Sequence, residues 1–188
     1  MKKLQNLLIV GCGDVARRVL PLLQGRYRIF AALRDPSRFA DWRGRGAIPV
    51  LADLDVSASL RRLGGLAGCL DVVLHFAPPP DHGAVDSRTR HLLTALMRGK
   101  SLAQRLIYIG TSGVYGDCGG DDVDETRRQR PQTARARRRA DAERQLRRFG
   151  RHRPARVSIL RAPGIYAADR LPLARLQKGM PALRAEDD

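Results

Sequence analysis

The chain has 188 residues, 43% of them hydrophobic, which suits one globular domain with a substantial core. No apolar run approaches the roughly 20 residues of a membrane span, and Met1-Lys2-Lys3 leads into a short apolar segment and not a signal peptide, so we expect a cytoplasmic protein without a membrane partner. Three widely spaced cysteines, Cys12, Cys69 and Cys118, indicate reduced thiols and no bound metal.

The net charge of +16 is concentrated in one segment. Between Arg127 and Arg156 thirteen arginines stand against only Asp141 and Glu143. Such a segment can bind phosphates through counterion release, but a solvated helix face has the same composition. Nucleic acid is therefore kept as a hypothesis, behind the small-molecule partner that the rest of the sequence indicates.

The first element is an apolar run at 7–10 that ends in Gly-Cys-Gly-Asp-Val-Ala at 11–16. The helical spacing of the apolar residues that follow predicts a strand, a tight turn and a helix that Pro21 kinks or stops; these residues are Val15, Val19, Leu22 and Leu23. In a dinucleotide-binding turn the first glycine allows the sharp turn, the second lets the backbone approach a pyrophosphate, and the small third residue lets helix pack on strand. Backbone N–H groups at the helix start would face the anion.

A second predicted strand at 27–33 leads to Arg34-Asp35-Pro36-Ser37. Arg34 lies twenty-three residues beyond Gly11, about where a dinucleotide-binding unit meets the adenosine ribose. An arginine there suits a 2′-phosphate, which favours NADP over NAD. Asp35 would reverse the preference if the register shifted by one residue. Its alternative role is to cap a short helix that Pro36 begins.

Further strands are predicted at 47–52, 70–77, 105–110 and 156–160. Between them lie a short helix capped by Ser57, with Leu60 and Leu63 on its apolar face, and a long helix. One face of the long helix carries Val85, Leu92, Leu93, Leu96 and Met97. A helix is also predicted at 133–149, where Ala136, Ala140, Glu143 and Leu146 share a face. Six strands alternating with helices indicate an α/β fold with a doubly wound parallel sheet. His75 and His82 lack spaced partners, and we expect structural roles for both.

Several motifs in order resemble the short-chain dehydrogenase/reductase superfamily, in particular its extended and atypical nucleoside-diphosphate-sugar epimerase-like members. They are the turn at 11–16, Ala-Asp-Leu at 52–54, Thr-Ser-Gly-Val-Tyr-Gly at 111–116, Asp-Glu at 124–125 and Leu-Arg-Ala-Pro-Gly-Ile-Tyr at 160–166. The resemblance covers nearly the whole chain. It implies a Rossmann-type NAD(P)-binding fold that forms one domain over 1–188.

The resemblance also assigns roles to residues of this chain. It implies that Asp53 contacts adenine, with Leu54 beside it, and that the loop after the fourth strand, at Ala77 and Pro78, runs beside the cofactor. It also implies that Thr111 orients a substrate hydroxyl with Ser112 close by. The expected cofactor-binding residues are Gly11, Gly13, Asp14, Val15, Arg34, Asp53, Leu54, Ala77, Pro78 and Arg139. It further implies a homodimer formed through helices within 85–99 and 133–149.

The proton-transfer pair of the family is missing. Members that transfer hydride use Tyr-x-x-x-Lys, often with a glutamate four residues later. Taking Glu143 as that glutamate puts Arg139 in the lysine place and Arg135 in the tyrosine place. Arginine stays protonated up to pH ~12, so Arg135 is no proton shuttle, whereas Arg139 could hold the ribose or a phosphate. Tyr115 is the candidate substitute acid, although the family places it in structural or substrate contact.

Extended members continue well past residue 188 and build a substrate lobe there. Residues 162–188 would be a remnant of it, with a helix at 171–178, and the chain is either a shortened form with an open cleft or a fragment. The leading hypothesis is an NADP-binding reductase or epimerase acting on a carbonyl or nucleotide-sugar-like compound. The alternatives are a non-catalytic NADP-binding redox sensor and a nucleic-acid-binding protein.

Overall fold

The computed structural model describes residues 4–99 and 101–164, with the single positions 177 and 179. Its centre is one sheet of six parallel strands in the order β3-β2-β1-β4-β5-β6. The strands are β1 (Gln5–Val10), β2 (Tyr27–Leu33), β3 (Ile48–Leu51), β4 (Val72–His75), β5 (Arg105–Thr111) and β6 (Arg156–Ala162). The helices are α1 (Asp14–Leu23), α2 (Phe39–Gly44), α3 (Arg61–Ala67), α4 (Ser87–Leu96) and α5 (Ala134–His152).

Helices cover both faces of the sheet, which is why the central strands are apolar without alternation. On one face Leu8 and Val10 of β1 belong to a core that includes residues of α3, α4 and α5. On the other face Leu7 and Ile9 share a core with Leu20 of α1 and the fully buried Trp42 of α2. The predicted doubly wound parallel sheet of six strands is confirmed.

The order of the strands reverses between β1 and β4. The chain first builds outward from β1 through β2 to β3, and then crosses back to place β4 on the other side of β1. In an open parallel sheet the crevice at the carboxyl ends of such a strand pair is where ligands bind. The turn after β1 and the loop after β4 therefore form the candidate site.

Several sequence-based expectations for the helices are wrong. The first helix continues two residues beyond Pro21, so the proline does not stop it. Its buried residues are Ala16 and Leu20, whereas Leu22 is 73% exposed. Ser57 is the first residue of a 3-10 turn and does not cap it, since the cap position is Val56. The helix expected to carry Val85 begins only at Ser87, because Asp86 caps it through the backbone N–H of Thr89.

Residues at the ends of other elements also differ from expectation. The third and fourth strands are shorter than predicted, and the fifth and sixth run one and two residues further. The last helix does run through the predicted segment. Ala136, Ala140, Glu143 and Leu146, which the spacing places on one face, are all buried. The helix predicted at 171–178 lies outside the described residues except for position 177, and the proposed lobe remnant at 162–188 lies largely outside them.

Candidate cofactor and substrate site

The turn after β1 is pressed against the end of β4. The carbonyl oxygen of Val10 accepts hydrogen bonds from the backbone N–H groups of Phe76, at 2.7 Å, and Ala77, at 3.1 Å. Gly11 has a φ of +91°, and a Cβ there would lie 2.1 Å from the Ala77 nitrogen. Only glycine satisfies both the dihedral angle and this approach. Ala77, expected beside the cofactor, is thus in contact with the first glycine of the turn.

Gly13 has the opposite surroundings. It is the N-cap residue of α1, no side chain caps the helix, and no heavy atom lies within 4 Å of the place that a Cβ would occupy. An open helix start without a side chain gives an anion direct access to backbone N–H groups. This arrangement fits the pyrophosphate of a dinucleotide.

Asp14 and Val15 follow in the first turn of α1, where the sequence places them beside the cofactor. The Asp14 carboxylate accepts a hydrogen bond from Arg18 Nε at 3.0 Å, one helical turn later. The pairing offsets a negative charge that would otherwise repel a phosphate at this helix start. Val15 is half-buried.

Arg34 is exposed directly after β2. Asp35 caps the 3-10 turn Pro36–Arg38, and its carboxylate accepts a hydrogen bond from Ser37 N at 2.9 Å. The Ser37 hydrogen bonds, with nearby Arg38 and Arg34, lower the pKa of Asp35. The cap interpretation of Asp35 is confirmed, so its carboxylate is already engaged with its own turn.

Arg38 belongs to this region, although the sequence analysis did not name it. Its Nη2 donates a hydrogen bond to the carbonyl oxygen of Cys12, in the middle of the glycine turn, at 2.7 Å. Two arginines, Arg34 and Arg38, therefore flank the capping turn after β2, one of them bonded to the glycine turn. Their i, i+4 spacing was the available signal.

The Cys12 thiol is buried at the bottom of the turn and donates to the carbonyl oxygen of Ala32 at 3.2 Å. Burial raises the pKa of Cys12 to about 12, a shift that Arg38 opposes. A thiol with such a pKa stays protonated and unreactive near neutral pH. Cys12 is therefore a packing residue of the turn.

The loop after β3 holds Asp53 and Leu54 in place. Ser59 Oγ accepts from Asp53 N and lies at donor distance from Asp53 O, both at 2.8 Å. Leu54 is buried, and its carbonyl oxygen is 2.7 Å from His91 Nδ1 on α4. The Asp53 carboxylate is half-buried and accepts from Asp55 N at 2.9 Å.

The side chain of Arg88 joins this loop to the loop after β4. Arg88 of α4 makes two hydrogen bonds to the Asp55 carboxylate, at 2.7 and 2.6 Å, and a third to the carbonyl oxygen of Pro78 at 3.1 Å. Pro78 is exposed. Since the proline run offers no N–H groups, a side chain from the next helix fixes these carbonyls instead. The pattern of the sequence did not indicate this contact.

The end of β5 supplies the expected substrate residues. Thr111 caps the 3-10 turn Ser112–Tyr115, and its Oγ1 accepts from Gly113 N at 3.3 Å. Thr111 and Ser112 are both half-buried. Tyr115 is 8% exposed, and its hydroxyl is hydrogen-bonded to the guanidinium of Arg161 on β6. The tyrosine hydroxyl is therefore engaged by a cation of the neighbouring strand.

Arg139 lies against β5. Its Nη1 donates to the Tyr108 hydroxyl at 3.1 Å and to the carbonyl oxygen of Ile109 at 2.9 Å, two residues before Thr111. Burial raises the pKa of Tyr108 to about 12, against the effect of Arg139. Arg135, in the tyrosine place of the family pattern, is exposed.

Glu143 is buried beneath these residues. Its carboxylate accepts from Arg161 Nη2 at 2.8 Å and from Gln129 Nε2 at 2.6 Å. The hydrogen bonds with Glu143 raise the pKa of Arg161 above its ordinary value. The sequence marked Glu143 by its spacing, but the spacing did not reveal Arg161 as its partner.

His75, the last residue of β4, is fully buried beside the Tyr108 ring. Its Nε2 is 2.8 Å from Thr89 Oγ1, and the Thr89 hydroxyl donates to Asp86 at 2.6 Å. The threonine proton is therefore used, and His75 Nε2 must be the donor in its own bond. Burial, aided by the charge of Arg139, lowers the pKa of His75 to about 3, so the ring is neutral and its role is structural.

Across the described residues, no three histidine, cysteine, aspartate or glutamate side chains are grouped to hold a metal ion. No helix in the described part of the chain is long and apolar enough to cross a membrane.

Comparison with known proteins adds to this geometry. Residues 7–184 match the model of the NAD dependent epimerase/dehydratase family. A comparison with curated proteins finds no match.

The fold is similar to that of many solved structures, and three of them illustrate the likeness. A short-chain dehydrogenase/reductase superfamily protein from Agrobacterium tumefaciens with bound NAD has a TM-score of 0.65 and 22% identity, over 84% of this chain and 48% of that one. Yeast methylglyoxal/isovaleraldehyde reductase complexed with NADPH has a TM-score of 0.67 and 13% identity, over 84% of this chain and 57% of that one. UDP-glucose 4-epimerase from Thermotoga maritima with UDP-glucose has a TM-score of 0.65 and 19% identity, over 84% of this chain and 55% of that one. The chain thus spans about half the length of these structures.

Proposed function

This chain belongs to the NAD dependent epimerase/dehydratase family, and on that premise we propose that it binds NADP, and NAD more weakly, where β1 and β4 meet. The observation that carries the proposal is the contrast between the two glycines. The space beside Gly11 is filled by the main chain of Ala77, whereas the space beside Gly13 at the start of α1 is free of protein atoms within 4 Å of a Cβ position. The first property fixes the turn, and the second leaves room for a pyrophosphate.

The preference for NADP rests on the end of β2. Arg34 is exposed there, Arg38 lies four residues further, and the Asp35 carboxylate is engaged with Ser37. An aspartate that caps its own turn is less available to a ribose 2′-hydroxyl, whereas an arginine fork suits a 2′-phosphate. Solved relatives hold NAD in one case and NADPH in another.

Titration calorimetry with NADPH and NADH tests this proposal. Arg34→Ala should weaken NADPH binding by about 10- to 150-fold, equivalent to roughly 1.5–3 kcal/mol for a lost charged hydrogen bond. NADH binding should change little. Arg26→Ala, an exposed arginine before β2, is the matched control and should leave both affinities unaltered. Equal losses for both cofactors would remove the role of Arg34, and no binding of either would refute the proposal.

We further propose a reductase or epimerase reaction on a carbonyl or nucleotide-sugar-like compound. The bound nicotinamide would supply hydride exchange. Thr111 would orient a substrate hydroxyl with Ser112 beside it, Tyr115 is the candidate acid, and Arg139 would hold the cofactor ribose. For a carbonyl compound that the wild type reduces, Thr111→Ala and Tyr115→Phe should slow NADPH oxidation, followed at 340 nm. Unchanged rates would exclude both residues from the reaction.

A second candidate function is a redox sensor that binds NADP without turnover. It is favoured by the arginines at 135 and 139 and by the Tyr115 hydroxyl, which is already bonded to Arg161. The two functions differ in one observable. A sensor would bind NADPH normally yet fail to oxidise it with any member of a panel of aldehydes, ketones and nucleotide sugars.

Two further proposals concern the domain organisation and the location of the protein. Residues 1–188 would form a single NAD(P)-binding domain whose last part starts the substrate lobe. A cytoplasmic location agrees with Cys12, Cys69 and Cys118, all of which are free thiols.

A further inference from the structure

The carboxyl ends of β2 and β3 lie next to each other at the edge of the sheet where the cofactor is proposed to bind. Leu33 pairs with Leu51 in the register of the two strands, and the backbone N–H of Ala52 donates to the carbonyl oxygen of Leu33 at 2.8 Å. Arg34 follows β2 directly, and Asp55 lies four residues beyond β3. The arginine proposed for the 2′-phosphate therefore shares this corner of the sheet with an acidic side chain.

The charge of Arg34 acts on two carboxylates. Hydrogen bonds from Ser37 lower the pKa of Asp35, with a smaller contribution from the charge of Arg34. Hydrogen bonds from Arg88 lower the pKa of Asp55, again with a smaller contribution from Arg34. Arg34 is exposed and, within the described part of the chain, takes part in no ion pair. It is thus near two carboxylates and pairs with neither.

Each of these carboxylates is held by a partner of its own. Asp35 Oδ1 accepts from Ser37 N at 2.9 Å. Asp55 accepts from Arg88 Nε at 2.7 Å and from Arg88 Nη2 at 2.6 Å, in the fork geometry that an arginine offers to a carboxylate. The third nitrogen of the same guanidinium donates to the carbonyl oxygen of Pro78 at 3.1 Å, so Arg88 is fixed from both loops.

Without Arg88, the Asp55 carboxylate would have no such partner. Its charge would attract the Arg34 guanidinium and repel a 2′-phosphate placed beside it. NAD carries a hydroxyl in place of this phosphate, so neither effect would act on NAD to the same degree. Specificity is a difference between two affinities, and a protein can set it by removing an interaction that opposes the preferred ligand.

We propose that Arg88 determines the preference for NADP over NAD by engaging Asp55 and so leaving Arg34 free for the 2′-phosphate. The inference rests on the proposed NADP site and adds a residue from another element, since Arg88 lies on α4. Arg88 acts through Asp55 and needs no contact with the cofactor.

Titration calorimetry of Arg88→Met with NADPH and NADH tests the proposal. Methionine keeps an unbranched side chain and removes the charge. The ratio of NADPH affinity to NADH affinity should fall by about fivefold, because the diversion of Arg34 and the repulsion of the phosphate act together. Loosening of the loop after β4 would weaken both cofactors alike, and the ratio would not change.

The double variant Arg88→Met/Asp55→Asn provides the rescue. It lacks the carboxylate that would compete for Arg34, so the ratio should return to within about twofold of the wild type. Arg88→Lys keeps the charge without the fork, and its ratio should lie between those of the wild type and Arg88→Met. Arg90→Met, at an exposed arginine of the same helix, is the matched control and should leave the ratio unchanged. Thermal unfolding checks that every variant is folded.

The results separate this inference from the function on which it rests. If the wild type prefers NADPH and Arg88→Met keeps the same ratio, the inference is overturned and the proposed function stands. A lower ratio that Asp55→Asn fails to restore also overturns it, because Arg88 would then act by another route. A wild type that binds neither cofactor, or both equally, refutes the proposed NADP site and the inference with it.

Discussion

At the scale of single residues, the two glycines of the first turn have different tasks. Gly11 is required by the fold, because its φ of +91° and its contact with Ala77 exclude any side chain. Gly13 has an ordinary φ of −93° and open space where a Cβ would lie. The fold therefore leaves room for a side chain at Gly13, and the proposed pyrophosphate would use that room.

Alanine substitutions separate these tasks. Gly11→Ala should lower the free energy of unfolding by at least ~3 kcal/mol, since the backbone strain adds to the clash. Gly13→Ala should change it by no more than about 0.5 kcal/mol and yet weaken NADPH binding by more than about tenfold. Urea denaturation and titration calorimetry measure the two effects. A stable Gly11→Ala protein, or normal cofactor affinity in Gly13→Ala, would contradict this assignment.

The buried His75 makes stability depend on pH. Its folded-state pKa of about 3 lies below the ordinary 6.5, so below pH 6.5 the unfolded chain takes up a proton that the folded chain refuses. The free energy of unfolding should therefore fall by about 2 kcal/mol between pH 7 and 5 on account of this residue. Denaturation curves at both pH values measure the loss.

His75→Gln is the control for this prediction. Glutamine does not titrate, and its amide can still donate to Thr89. The variant should lose most of the slope between pH 7 and 5. Asp86, whose pKa is raised by burial, acts in the opposite direction because its folded form binds the proton more tightly. An unchanged slope in His75→Gln would show that His75 is not the source.

At the scale of elements, β6 is joined to α5 by a buried charge pair. The Glu143 side chain is completely buried and that of Arg161 is 11% exposed, and the pair connects to Tyr115 at the end of β5. Breaking a buried pair on one side leaves the other charge without compensation, which costs more than the pair itself contributes. Through Arg161, Glu143 thereby helps to hold Tyr115 in place beyond the end of β5.

Glu143→Gln should lower the free energy of unfolding by about 3–5 kcal/mol, and Arg161→Met by a similar amount. The double variant should lose clearly less than the sum of the two, because no isolated charge remains buried. A double-mutant cycle from urea denaturation gives the coupling energy directly. Strictly additive losses would mean that the two side chains contribute independently.

At the scale of the whole molecule, periodicity predicted the fold well. The apolar runs of β1 and β2 and the alternation in β5 are local signals that predict strands. The cap of Asp35 is also a local signal, because Pro36 directly after it favours the start of a helical turn. Contacts between residues far apart in the chain could not be predicted from the local sequence pattern. The hydrogen bonds between Arg88 and Asp55 join residues thirty-three positions apart, and those between Arg161 and Glu143 join residues eighteen positions apart.

The same limit applies to the candidate site. Thr111 ends a strand and Asp53 and Ala77 follow strands, so the strand order predicts that all three lie at one edge of the sheet, because carboxyl ends of parallel strands meet there. Arg38 could not, since its contact with Cys12 depends on the direction of a short turn. The arginine-rich composition of α5 was visible, whereas the pairing of Arg144 with Asp141 and of Arg147 with Glu143 depends on packing.

The Val10 carbonyl, which accepts from both Phe76 and Ala77, has a consequence for measurement. Because the two amide protons share one acceptor at the edge where the cofactor is proposed to bind, separation of β1 from β4 releases them together. Their protection factors against exchange with deuterated solvent should therefore be equal. A ligand that binds only the closed form would slow both by the factor 1 + [L]/Kd, so these two amides would report cofactor occupancy without any need for a known substrate.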